Sequence, residues 1–167
     1  MFFDAELLER AQRLVALYTA AGLKLATAES CTGGLVAGLV TEIAGSSAVL
    51  ERGFVVYSNE AKIGMLGVEL ETLARHGAVS EQTARELAAG ALEHSRADIS
   101  VAITGVAGPG GGTDAKPVGL VHFGCARRGH ATTHVARRFG DVGRAGVRRA
   151  SVVQALDLLE AAAQLRP

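Results

Sequence analysis

The chain has 167 residues, 49% apolar and 20% charged, with 17 basic residues balanced by 17 acidic ones. That length and apolar content suit one domain spanning residues 1–167 around a buried core, and they exclude a disordered chain. Zero net charge supplies no field for nucleic acid or an anionic membrane, and two Tyr, five Phe and no Trp leave few platforms for base stacking.

Between Ala5 and Ala21, Leu7, Leu8, Ala11, Leu14, Val15 and Tyr18 fall on one helical face, and Gly22 stops the helix. Leu23–Ala28 reads as a strand, followed by a helix over about Cys31–Ala44 that Gly45-Ser-Ser breaks. Arg52–Tyr57 is a second strand. Asn59 then reads as the N-cap of a short helix reaching about Leu66. Ser80 caps a longer helix over Glu81–His94, in which Ala84, Leu87, Ala88, Ala91 and Leu92 keep helical period. Ile99–Ile103 is a third strand, and it runs into the glycine-rich loop Gly105–Pro117. Val118–Ala126 and Ala131–Phe139 form a hairpin, and Arg144–Leu165 is a closing helix. The alternation predicts an α/β fold: three layers, α/β/α, around a mixed sheet.

Several classes are set aside by what the chain carries. Cys31 and Cys125 are too few for a disulfide framework or a zinc site and fit a reducing cytoplasm. The five histidines show no metal-ligand spacing, so no metal is expected, although His130 and His134 could share a strand face. Met1-Phe-Phe-Asp-Ala-Glu lacks the basic start of a secretory signal, and no apolar run reaches the roughly 18 residues that span a bilayer. The arginine pairs Arg127-Arg128, Arg137-Arg138 and Arg148-Arg149 read as solvated faces.

Three polar clusters stand at predicted strand ends: Glu29-Ser30-Cys31-Thr32, Tyr57-Ser58-Asn59-Glu60-Ala61-Lys62, and the Gly105–Pro117 loop. In open α/β sheets that end of the strands is where ligands bind. Ser30 and Cys31 are both candidate nucleophiles at a strand-to-helix turn, where free amides and the helix dipole favour negative charge. A helix cap alone would also explain the Ser and Thr. Lys62, close to a helix N-terminus, is expected to have a depressed pKa and to suit a general base for a serine hydroxyl. A solvated lysine is the plainer alternative. The glycine loop is neither a Walker loop nor G-x-G-x-x-G, but its amides can form an anion nest.

In order, Thr27-Ala-Glu-Ser-Cys-Thr-Gly-Gly, Gly45-Ser-Ser, Arg52-Gly-Phe-Val-Val-Tyr-Ser-Asn-Glu-Ala-Lys, Gly77-Ala-Val-Ser, Gly105-Val-Ala-Gly-Pro-Gly-Gly-Gly-Thr and Lys116-Pro-Val-Gly closely resemble the C-terminal domain family of the competence/damage-inducible protein CinA. The resemblance runs from about Ala5 to Leu165. It implies hydrolysis of the amide of nicotinamide mononucleotide to nicotinic acid mononucleotide and ammonia, with no cofactor. By position, Ser30 would be the nucleophile, Lys62 its base and Tyr57 a hydrogen-bonding assistant, with amides near Thr32 and Gly33 holding the oxyanion. Glu29, Cys31, Thr32, Gly33, Gly34, Asn59, Thr104, Gly105, Gly108, Gly110, Gly111, Gly112 and Arg144 would line the substrate site, with Arg144 and the glycine loop on ribose and phosphate. The family's Gly-Asp-Arg ahead of the last helix is here Gly140-Asp-Val-Gly-Arg, which displaces Asp141. Larger members carry an N-terminal molybdopterin-binding-like domain with no counterpart here, so no pyrophosphatase activity carries over. A non-catalytic module that binds a pyridine nucleotide or a protein partner is the rival expectation. A homo-oligomer is expected from base rates.

Overall fold

The computed structural model describes residues 3–166. Five strands make one open sheet: β1 (Leu25–Glu29), β2 (Leu50–Val55), β3 (Ile99–Gly105), β4 (Leu120–Arg127) and β5 (Thr133–Arg138), in the order β2-β1-β3-β4-β5. The first three in that order are parallel, and the β4–β5 hairpin adds on antiparallel to β3. The helices are α1 (Ala5–Ala21), α2 (Leu35–Thr41), α3 (Asn59–Leu66), α4 (Leu70–His76), α5 (Glu81–Glu93) and α6 (Gly143–Ala163).

Alternation along the strands separates two cores. Leu25, Ile99, Val101 and Ile103 point to one face, where they meet Leu14, Tyr18, Leu39, Val40, Leu156 and Leu159 from α1, α2 and α6. Tyr18 is fully buried there, and its hydroxyl donates to the Leu159 carbonyl at 2.9 Å. Ala26, Ala28 and Ala102 face the other way, against Leu66, Leu73, Leu87 and Ala91 of α3, α4 and α5. Small side chains on this second face let the helices lie close. A Cβ on Gly124 of β4 would stand 2.2 Å from the Ala84 carbonyl oxygen, and one on Gly90 of α5 would stand 2.0 Å from that of Leu66. The three-layer α/β/α arrangement with a mixed sheet is therefore as read from the sequence.

Boundaries moved where backbone chemistry overrides periodicity. The helix expected from Cys31 begins only at Leu35, because Gly33 and Gly34 have φ of 59° and 96°, outside the right-handed helical region. Helix α3 is capped by Ser58, whose hydroxyl accepts the Ala61 N–H at 3.0 Å, so Asn59 is its first residue rather than its cap. Helix α4 was not anticipated: it buries only Leu73, too little for a periodic signal.

The sheet sets the site. Glu29 lies opposite Val55 on one side and Ile103 on the other, so the parallel pairing ends at one level while β3 runs on beside β4 to Gly105. Ser30 and Val56 leave their strands at that level, beside Thr104 of β3. Strand β1 is the middle one of the three parallel strands, with α2 on one face and α3–α5 on the other, and its carboxyl end is where open α/β sheets place their ligands.

Candidate active site

Ser30 is fixed through its backbone. Its N–H donates to the Ile103 carbonyl at 3.0 Å, and its own carbonyl accepts the Gly33 N–H at 3.0 Å. The chain then turns through the two left-handed glycines into α2. The amides of Cys31, Thr32 and Gly34 donate no hydrogen bond among the described residues. Gly33 was expected to offer its N–H to an oxyanion, but that group is committed to the Ser30 carbonyl. Gly34 has the free amide instead.

Glu29 has a different role from the one read in the sequence. It is fully buried, and its carboxylate oxygens accept the N–H groups of Val36 at 2.9 Å and Ala37 at 3.1 Å. Those are orphan donors in the first turn of α2, so Glu29 caps the helix instead of lining a ligand site.

Lys62 is 1% exposed, which overturns the solvated alternative. As the fourth residue of α3 it reaches inward. Its Nζ lies 2.9 Å from the Val56 carbonyl oxygen, 3.3 Å from that of Tyr57 and 3.4 Å from Ser30 Oγ. Burial pushes its pKa below the ordinary lysine value, against a smaller opposing influence of Cys31. In the neutral amine two N–H bonds and one lone pair must be shared among these three neighbours. Carbonyl oxygens can only accept, so they take the two N–H groups and leave the lone pair for the Ser30 hydroxyl. Cys31 fares differently. Its thiol is buried and pushed up to about 11, mainly by desolvation, so the helix N-terminus does not make it a thiolate at neutral pH.

The Tyr57 side chain is largely exposed, and its hydroxyl accepts from Arg144 Nη2 at 3.0 Å. Arg144 Nη1 donates to the Gly108 carbonyl at 3.0 Å. One guanidinium therefore ties the second polar cluster to the glycine loop. Only the carbonyl of Tyr57 touches the Ser30–Lys62 pair directly, through Lys62.

The other expected lining residues divide. Thr104 is buried and its hydroxyl donates to the Ala78 carbonyl at 2.7 Å, and Gly105 is pressed against β4, where a Cβ would meet Val121 at 2.7 Å. Both hold the frame. Gly108 and Gly112 give way to Val118 in the same manner, at 2.7 Å and 2.8 Å. Gly110 and Gly111 are exposed with open space about them, as is Asn59 on the surface of α3. The Thr32 hydroxyl is buried without a hydrogen-bond partner among the described residues.

Two features escaped the sequence reading. The Val56 carbonyl is a partner of Lys62, and no side-chain pattern announces a carbonyl. The arginine pairs are not simply solvated: Arg128 caps the α5 end through the carbonyls of Leu92, Ser95 and Ala97 at 2.7, 3.0 and 2.7 Å, and Arg148 donates to the Thr32 carbonyl at 3.2 Å. His130 and His134 do not share a strand face, because His130 stands outside β5. His134 meets His122 across the hairpin, Nε2 to Nδ1 at 2.9 Å, while His130 lies in the turn. Among the described residues no group of three or more His, Cys, Asp or Glu side chains is placed to hold a metal, and no helix is long and apolar enough to cross a membrane.

The model of the CinA C-terminal domain family matches residues 8–163. The chain belongs to the CinA C-terminal domain family. A relative from Escherichia coli K12, the nicotinamide-nucleotide amidohydrolase PncC, is 52% identical over 157 residues, covering 93% of this chain and 94% of that protein. A putative competence-damage inducible protein of Caldicellulosiruptor bescii is 50% identical over 138 residues, which span 83% of this chain and 33% of that longer one. The crystal structure of the competence/damage inducible protein CihA from Agrobacterium tumefaciens superposes with a TM-score of 0.96 at 54% identity, over 98% of this chain and 99% of that one. In this CinA-family chain Arg144 is the second residue of α6, within the last helix. Asp141 is exposed and makes no hydrogen bond or ion pair among the described residues.

Proposed function

We propose that this chain hydrolyses the carboxamide of nicotinamide mononucleotide to the carboxylate and ammonia, with Ser30 as nucleophile and Lys62 as base. The observation that carries this reading is the 3.4 Å approach of a buried lysine amine to a serine hydroxyl at the carboxyl end of β1, with the carbonyls of Val56 and Tyr57 on the same amine. The name borne by the E. coli relative supplies the substrate.

The steps follow from the groups present. Ser30 Oγ adds to the carboxamide carbon while its proton passes to Lys62 Nζ. The carbonyl oxygen becomes an oxyanion beside the free amides of Cys31, Thr32 and Gly34, donors of a kind worth about 3 kcal/mol each when aimed at the developing charge. Lys62 returns the proton to the departing nitrogen, ammonia leaves, and an ester remains on Ser30. Water, deprotonated by Lys62, then attacks that ester and frees the acid. No cofactor enters. Arg144 and the exposed glycines of the 105–112 loop take the phosphoribosyl part, and Tyr57, released from Arg144, is left to orient the substrate.

Ammonia release from the mononucleotide by wild-type protein and by Ser30→Ala tests this directly. Turnover in the first and none in the second is expected. Tight binding of the mononucleotide by folded wild-type protein without turnover would replace the amidase with a binding module. Nicotinamide riboside, which lacks the phosphate, should be a much poorer substrate, and Arg144→Ala should narrow that difference.

A further inference from the structure

Arg148 follows Arg144 by one turn of α6, and in the sequence it is half of a pair with Arg149. The fold separates them. Arg149 turns to the start of α1, where it meets Asp4 at 2.8 Å and Glu6 at 3.0 Å. Arg148 is half-buried and lies over the turn that follows Ser30. Its Nη2 donates to the Thr32 carbonyl at 3.2 Å, and a Cβ placed on Gly33 would come within 3.7 Å of the same nitrogen. Its Nε is buried with no partner among the described residues.

The carbonyl that Arg148 holds belongs to the peptide unit whose N–H is that of Gly33. That N–H donates to the Ser30 carbonyl at 3.0 Å, and the same Thr32 carbonyl also accepts the Leu35 N–H at 3.2 Å. Guanidinium, Thr32–Gly33 peptide and Ser30 carbonyl thus form one chain of hydrogen bonds. Each member polarises the next, and the first donor carries a full charge. No acidic side chain pairs with Arg148 among the described ion pairs, so the Thr32 carbonyl is its only charge-assisted contact there.

We propose that Arg148 is a positioning residue for the reaction: it clamps the Ser30–Gly34 turn in the shape that aims Ser30 Oγ and keeps the amides of that turn free for the oxyanion. It acts through the turn and does not touch substrate. This rests on the amidase reading above. An arginine that merely joins α6 to α2 would move stability, and one that binds the substrate would move KM.

The test compares wild type, Arg148→Met and Arg148→Lys for kcat, KM and thermal midpoint with nicotinamide mononucleotide. Methionine keeps the apolar stem and removes the donor; lysine restores a charged donor able to reach one carbonyl. Arg148→Met should lose kcat by on the order of 10²-fold, the scale of a slight misplacement of reacting groups, with KM and thermal midpoint nearly unchanged. Arg148→Lys should recover most of that loss. Wild-type kcat in Arg148→Met, a raised KM at constant kcat, or equal losses in both variants that track a lowered midpoint would each overturn the positioning role while leaving the amidase intact. Failure of Arg148→Met to fold would mark a structural role and overturn it likewise. A wild type that folds but releases no ammonia would remove the amidase reading, and this inference with it.

Discussion

Lys62 has three polar neighbours and almost no water, which makes its protonation state the control point of the site. Burial favours the neutral amine, and the neutral amine is the form with a lone pair to offer Ser30. Activity should therefore fall as pH drops through a value below the free-lysine figure of about 10.4, and a kcat/KM profile measures it. A profile that rises only near that figure would show that burial does not tune this lysine. Cys31, next to Ser30, has the opposite problem: burial keeps its thiol protonated, with a pKa of about 11. Cys31→Ala should keep most of the activity, and thiol alkylation at neutral pH should leave the native enzyme working. Loss of activity in Cys31→Ala with turnover kept in Ser30→Ala would exchange the two assignments.

At the level of elements, two contacts hold the segments that carry Ser30 and Lys62. Glu29 satisfies two amides at the start of α2, and α2 bounds the turn that carries Ser30. Glu29→Ala should lower unfolding free energy by about 2–4 kcal/mol, because two buried donors lose their acceptor. Chemical denaturation reads this, and an unchanged midpoint would refute the capping role. Gly90 brings α5 against the last turn of α3, where a Cβ would overlap the Leu66 carbonyl. Gly90→Ala should cost about 1–3 kcal/mol by overpacking, and because α3 carries Lys62 it should also depress kcat. A variant that loses stability and keeps full kcat would show that α3 can shift without moving Lys62. The Cys31–Gly34 segment illustrates a limit of periodicity: it has helical spacing, yet two glycines at positive φ make it a turn.

Across the whole molecule, titration should be most visible in the hairpin. His122 and His134 both have depressed pKa values, chiefly from burial, with His134, Lys116 and Arg138 adding to the effect at His122, Arg85 adding to it at His134, and Glu81 opposing it at both. The unfolded chain holds these protons up to about pH 6.5 and the fold releases them sooner. In the window just below that value the unfolded state binds more protons, so stability falls as pH drops through it. The thermal midpoint should decline between pH 7.5 and 5.5, and His122→Gln with His134→Gln should flatten the decline. The same slope in the double variant would place the titrating groups elsewhere.

The order of the strands and of every α-helix but α4, the mixed α/β class, and the grouping of polar residues at strand ends were legible in the sequence, because these depend on local periodicity and on turn-forming residues. The sequence marked Ser30, Lys62, Tyr57 and Arg144 as residues of interest. Where each one stands and what it touches came only from the tertiary structure. Side-chain type does not tell a buried carboxylate capping a helix from one facing a ligand, as Glu29 shows. Nor does it tell a surface arginine from one laid across the turn that follows Ser30, as the divergence of Arg148 and Arg149 shows. The roles of Val56 and Gly33 rest on a carbonyl and an amide that every such residue carries, so only their direction in space has meaning. Burial and direction arise from packing between segments far apart in the chain, and Lys62 meets Ser30 because β1 and β2 are neighbours whose carboxyl ends lie side by side.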